Sequence, residues 1–259
     1  MDLQLGGRVA LVTGGTGGIG LSIARRLAAE GADVYVTGRS RERLDEVARA
    51  GDATLLGIVG DPSSPAGAAA IVAELPAVDI LVNNLGTYES KDFFDITDDD
   101  WLELFQVNVL SGTRLARAYL PGMLDRNSGR VLFIVSEAGL AIPPDMVHYG
   151  ATKAAQLGLA RGLAKLTRGT AVTVNSVLPG PTRSAGLETF LRSQASDPDA
   201  PLVDIEQEFF ERARPASIIQ RLIDTDEIAN LVAYLASPLS SATNGASIRA
   251  EGGLIDTIA

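Results

Sequence analysis

In RVALVTGGTGGIGLSIARRLAAE, residues 8–30, an apolar run of strand length passes through a glycine-rich turn directly into a helical pattern. Residues 8–13 form the run, and residues 19–30 place Ile19, Ile23 and Leu27 on one helix face, with Gly31 as the stop. Glycines permit a turn too tight for side chains and let a ligand approach the backbone. The helix amino terminus behind them offers N–H donors and the positive end of its dipole. Read literally, Gly15, Gly17 and Gly20 satisfy G-x-G-x-x-G, and the strand-turn-helix setting is the one a dinucleotide pyrophosphate requires.

The same alternation runs outward from this stretch. Further strands are expected at 33–37, 54–59, 80–83, 131–135, 172–177 and, briefly, 246–249. Between them come a charged helix at 41–50, an alanine-rich helix, a long helix at 98–126 with nothing to break it before Pro121, and a helix around Tyr149. Strands alternating with helices imply right-handed crossovers and a mostly parallel sheet covered on both faces. The expectation is an α/β, doubly wound Rossmann fold of about seven strands. With no linker, repeat or low-complexity segment, residues 1–259 read as a single domain. Residues 184–219 fit the alternation poorly: Leu187, Phe190, Leu191, Phe209 and Phe210 surround a turn-rich SDPDAP stretch at 196–201. Long excursions in compact domains are usually functional, and a helical substrate lid is expected here.

Composition excludes several kinds of chemistry. A formal charge of −10 leaves no basic stripe for nucleic acid. The chain has no cysteine, which removes disulfides and thiolate catalysis, and one histidine, His148, which removes a histidine-based triad and most zinc sites; no metal is expected. No uncharged apolar stretch is long enough to span a bilayer, and the amino terminus lacks a basic region ahead of its apolar run, so the expected setting is cytoplasmic, without membrane.

A second constellation lies in SEAGLAIPPDMVHYGATK, residues 136–153. Tyr149 and Lys153 stand four apart at helical spacing and so share a face. A free phenol, with a pKa near ~10, is a poor acid or base at neutral pH, and a nearby cation favours its ionised form. Ser136, at the end of the apolar run 131–135, offers a hydroxyl to hold a substrate oxygen beside that phenol. A Tyr-x-x-x-Lys pair is equally an ordinary amphipathic-helix pair, so the other motifs decide. His148, about 100° from Tyr149 around the helix, reads as a surface or interface residue.

Taken together these motifs resemble the short-chain dehydrogenase/reductase family over nearly the whole chain. Its T-G-x-x-x-G-x-G turn falls on Thr13, Gly14, Gly18 and Gly20, a better register than the literal match. Its N-N-A-G motif is met as Asn83, Asn84, Leu85 and Gly86, its helix asparagine as Asn108, and its serine and Y-x-x-x-K as Ser136, Tyr149 and Lys153. Its N-x-x-x-P-G segment is met as Asn175 through Pro179 and Gly180, and its D-G-G as Glu251, Gly252 and Gly253. The resemblance implies hydride transfer between a nicotinamide and a carbonyl or secondary alcohol, with Tyr149 as general acid in reduction and base in oxidation. It implies that Lys153 lowers the Tyr149 pKa and binds the nicotinamide ribose, that Ser136 holds the substrate oxygen, and that Asn108 holds a relay water.

Cofactor contacts implied by the resemblance are Gly14, Thr16, Gly17, Gly18, Ile19, Gly20, Asp61, Asn84, Gly86, Tyr149, Lys153, Pro179, Gly180 and Thr182. The second strand ends in Gly38 where NAD-dependent relatives carry an acid, and Arg39 follows, which favours NADP(H) and leaves NAD(H) open. Substrate contacts are expected from Ser136, Tyr149, Glu137 and Tyr88. The general style is similar to 3-oxoacyl-thioester reductases, from which Leu85, Glu251 and the acidic lid depart. Alternatives are an NAD-dependent secondary-alcohol dehydrogenase and a dinucleotide-binding sensor or scaffold without chemistry. Relatives pair through the helices corresponding to 98–126 and 149–168, which implies a homodimer or homotetramer acting on a small molecule.

Overall fold

Strands β4 (Ile80–Asn83), β5 (Arg130–Ile134) and β6 (Thr173–Pro179) are buried at every position, as strands covered on both faces must be. The computed structural model describes residues 1–50 and 54–258. With β1 (Val9–Val12), β2 (Asp33–Gly38), β3 (Leu55–Val59) and β7 (Ser247–Ala250) they form one sheet in the order β3-β2-β1-β4-β5-β6-β7. Every pairing is parallel. The order reverses direction between β1 and β4, and such a switch point opens a crevice at the carboxyl ends of the strands.

Helices α1 (Gly18–Ala29), α2 (Arg41–Arg49) and α9 (Thr225–Ala236) cover one face of the sheet; α3 (Pro65–Glu74), α5 (Ser111–Asp125) and α6 (Val147–Leu166) cover the other. On the first face Ile23, Leu27, Ile228 and Val232 are fully buried, each contributing roughly 1.5–3 kcal/mol relative to exposure. Residues 184–219 are helical as expected. Helices α7 (Ala185–Gln194) and α8 (Leu202–Ala213) share a small core of their own, Leu191, Ile205 and Phe210 with Leu222. Among the described residues no helix is long and apolar enough to cross a membrane.

The structure departs from the sequence expectations at three places. The long helix expected over 98–126 is divided: α4 (Asp98–Leu104) leads into a π-helical turn, Phe105–Leu110, before α5 begins. Pro121 sits inside α5 without ending it, because burial of Leu115, Tyr119, Leu120 and Met123 holds the helix on the sheet across the lost hydrogen bond. Helix α9 was not anticipated, although Asp224 and Glu227 provide its start signal: the Glu227 carboxylate accepts from the Asp224 N–H at 2.8 Å. His148 is no surface residue. It has no exposed surface, because Trp101 of α4 packs edge-on against its ring at 6.0 Å and Glu89 lies 3.5 Å from Nε2.

Glycine 67, in the first turn of α3, decides how closely that helix approaches the loop after β3. A Cβ there would lie 2.0 Å from the Asp61 carbonyl oxygen and 2.9 Å from its nitrogen, and neither backbone atom can swing aside as a side chain would. Gly67→Ala is therefore expected to cost about 2–3 kcal/mol, read as a lowered denaturant midpoint at unchanged m. An unchanged midpoint would show that the loop gives way freely.

Candidate active site

The turn from β1 into α1 is built from glycines that have different reasons to be there. Gly14 and Gly18 hold positive φ angles of 62° and 52°, which favour glycine. At Gly20 a Cβ would meet Asn84 Nδ2 at 2.4 Å and the Gly14 carbonyl oxygen at 2.5 Å, and at Gly15 it would meet Val36 Cγ1 at 2.6 Å. Gly17, by contrast, faces open space and is the N-cap of α1, which no side chain caps. Helices α2, α3 and α7 each begin on a serine, Ser40, Ser64 and Ser184, whose oxygen accepts a first-turn N–H. The first turn of α1 thus keeps its donors for an anion, and the open cradle beside it fits a pyrophosphate.

Two strand ends are clamped together at this turn. The Thr13 hydroxyl accepts the N–H groups of Asn84 and Leu85, both at 2.9 Å, and Asn84 Nδ2 donates to the Thr13 carbonyl at 2.9 Å. Thr16 lies against the end of β2, where a Cβ on Gly38 would come within 2.8 Å of its Cγ2. Arg39 is exposed beyond it. Arg43, which the motifs did not single out, reaches back from α2 to donate to the Thr16 carbonyl at 3.3 Å. Asp61 accepts the Ser63 N–H at 2.9 Å, so one of its oxygens closes its own loop.

Ser136, Tyr149 and Lys153 converge from β5 and α6. Ser136 follows β5 and caps the short turn Glu137–Gly139. Lys153 Nζ lies 5.5 Å from the Tyr149 ring centre and donates to the Ile134 carbonyl at 3.4 Å. Asn108 sits in the π-helical turn with no exposed surface. Its amide oxygen accepts the Thr87 N–H at 2.8 Å, and its nitrogen donates to the Thr87 carbonyl and the Thr152 hydroxyl, both at 3.0 Å. With its amide so engaged, the side chain of Asn108 positions the loop after β4 against α6.

Electrostatics of this cluster differ from the expectation that Lys153 lowers the Tyr149 pKa. Burial pushes the phenol above its ordinary range and the charge of Glu137 adds to this, while the Ser136 hydroxyl pulls it down. Lys153 is itself buried, which brings it down to about 8, with Glu137 opposing. Desolvation, which disfavours both charged forms, is the largest cause of each shift.

One cavity of about 200 Å³ unites the set. Ser136, Glu137, Tyr149, Lys153 and Tyr88 line it together with Ile19, Asn84, Gly86, Pro179, Gly180 and Thr182. Tyr88 packs edge-on against both Tyr149, at 6.1 Å, and Phe190 of α7, at 5.8 Å. Gly14, Thr16, Gly17, Gly18 and Gly20 form the adjoining turn, and Arg39 and Asp61 follow the ends of β2 and β3 rather than lining the cavity. Sequence reasoning missed Met146 and Arg214, which also line it. Arg214 follows α8 in a turn without periodicity, with Nε 4.0 Å from the Glu137 carboxylate. Burial pushes Glu137 up, against the Ser136 hydrogen bond and the Arg214 charge.

Comparison with known proteins agrees with this geometry. The chain is 46% identical over the full length of both chains to the oxidoreductase YvaG of Bacillus subtilis. It is 33% identical to the 3-oxoacyl-[acyl-carrier-protein] reductase FabG of Vibrio cholerae, covering 97% of this chain and 99% of that one. The L-sorbose reductase of Gluconobacter frateurii, solved with NADPH and L-sorbose, superposes with a TM-score of 0.91 at 27% identity over all of both chains. The family model described as short chain dehydrogenase matches residues 8–195, and the chain therefore belongs to the short chain dehydrogenase family of oxidoreductases.

Proposed function

We propose that the protein is an NADP(H)-dependent oxidoreductase acting on a carbonyl or secondary alcohol, with Tyr149 as general acid in reduction and general base in oxidation. The observation that carries this reading is the single cavity in which Ser136, Tyr149 and Lys153 face the residues Asn84, Gly86, Pro179, Gly180 and Thr182. A nicotinamide held here would supply the hydride for the carbonyl carbon, and Tyr149 would give its proton to the carbonyl oxygen as the C=O electron pair moves onto it. Tyr149, pushed up by its surroundings, holds that proton at neutral pH. Ser136 orients the reacting oxygen, and Lys153 holds ribose hydroxyls and carries the positive charge beside the phenol. Arg39 and Arg43 flank the turn where a 2′-phosphate would lie, and β2 ends without a carboxylate to repel it. The NADPH-bound sorbose reductase supports the same choice of cofactor. Leu102 and Leu166, exposed on α4 and at the end of α6, support pairing into a homodimer or homotetramer through those helices.

Tyr149→Phe should bind NADPH normally and lose on the order of 10²–10⁴-fold in kcat, since the proton donor goes and little volume changes. Near-normal turnover would remove Tyr149 from the reaction. Arg39→Ala should weaken NADPH about 10–100-fold, as loss of a charge-assisted contact does, and leave NADH within about twofold. Equal effects on both dinucleotides would mean that Arg39 does not read the phosphate. Lys153 sets a pH dependence. Its proton is lost near pH 8 in the free protein, and the bound ribose favours the charged form, so NADPH affinity should fall as pH rises through about 8. Lys153→Met should bind more weakly and show no such fall, measured by fluorescence titration.

A further inference from the structure

Ser136 has one hydroxyl hydrogen, and a neighbouring carboxylate competes for it with any substrate oxygen. Its Oγ donates to Glu137 Oε2 at 2.5 Å while accepting the Ala138 N–H at 3.1 Å. Glu137 is 7% exposed and lines the same cavity, with Arg214 beside its other oxygen. To hold a carbonyl oxygen, Ser136 must turn its hydrogen from Glu137 to the substrate. A plain ketone offers Oε2 of Glu137 nothing in return, and a buried carboxylate that gives up one of its hydrogen bonds loses a charge-assisted contact.

A ketone with a hydroxyl on the adjoining carbon supplies the missing donor. Its carbonyl oxygen accepts from Ser136 and Tyr149 while its hydroxyl donates to Glu137. When the two oxygens of such a group lie on the same side they are about a hydrogen bond apart, which matches the separation of Ser136 Oγ and Glu137 Oε2. Arg214, beyond Glu137, is placed to donate to a further hydroxyl. A 3-oxoacyl thioester carries only acceptors beside its reacting carbonyl and gives Oε2 of Glu137 no donor in place of Ser136.

Resting on the hydride-transfer reading above, we propose that Glu137 is a specificity-determining residue that selects α-hydroxy ketones, ketoses among them, and in the reverse direction vicinal diols. The redox balance is unchanged: hydride goes to the carbonyl carbon, the Tyr149 proton to its oxygen, and the neighbouring hydroxyl stays intact.

The test is NADPH oxidation with matched pairs, hydroxyacetone against acetone and acetoin against 2-butanone, and with 3-oxobutanoyl-N-acetylcysteamine. It uses the native protein, Glu137→Ala and Glu137→Gln, with NADPH fluorescence titration as the check on folding. The native protein should favour the hydroxylated member by on the order of 100-fold in kcat/KM, as one hydrogen bond to a charged group does. Glu137→Ala should collapse the ratio, and Glu137→Gln, which keeps an acceptor, should fall between. A native ratio within about threefold, or a preference that survives Glu137→Ala, overturns the inference and leaves hydride transfer standing. Oxidation of NADPH by none of these carbonyls overturns both.

Discussion

The contact between Thr13 and Asn84 is the joint on which the site depends. Parallel strands β1 and β4 are neighbours, but the chain leaves them toward opposite faces of the sheet, and without a tie their ends would be free to diverge. The Thr13 hydroxyl and the Asn84 amide supply that tie, each bonding backbone of the other segment. Gly20 completes it, since its missing side chain leaves room for Asn84 and the Gly14 carbonyl against α1. The glycine turn therefore has a fixed shape set by packing, and its freedom from side chains is restricted to Gly17, where space is open.

A second constraint is the burial of ionisable groups in one small cavity. Glu137 and Lys153 are almost fully buried, and Tyr149 lines the same space. Burial raises the acid and the phenol and lowers the ammonium, while Glu137 pulls Lys153 back toward its charged form. The protein spends stability to hold them there, a cost commonly concentrated at active sites. Over them, Tyr88 packs edge-on between Tyr149 and Phe190, so α7 touches the ring that lies against the phenol.

Much of this was legible locally. Strand and helix periods, the glycine positions and the Tyr149–Lys153 spacing depend on neighbours within a few residues, and apart from the divided helix over 98–126 the expected strands and helices match those observed to within one or two positions. The capping signal of α9 was equally local and was overlooked. The π-helical turn around Asn108 has no such signal: its amide is engaged by Thr87 and Thr152, which come from other segments.

What the amino-acid sequence determined by itself was therefore the alternation of strands and helices and the doubly wound class, since short-range pattern governs both, while most of the residues that meet at the carboxyl ends of the strands were named by the family resemblance. Only the tertiary structure decided the environments. His148 became buried because Trp101 of a different helix covers it, and Arg214 entered the cavity because α8 ends beside Glu137. Tyr149 is pushed up, although the spacing placed a cation next to it, because desolvation depends on every wall of the cavity while spacing reports only one. Glu137 follows Ser136 directly in the chain, yet their hydrogen bond exists because the turn Glu137–Gly139 folds the carboxylate inward, and that fold is a property of the packed molecule.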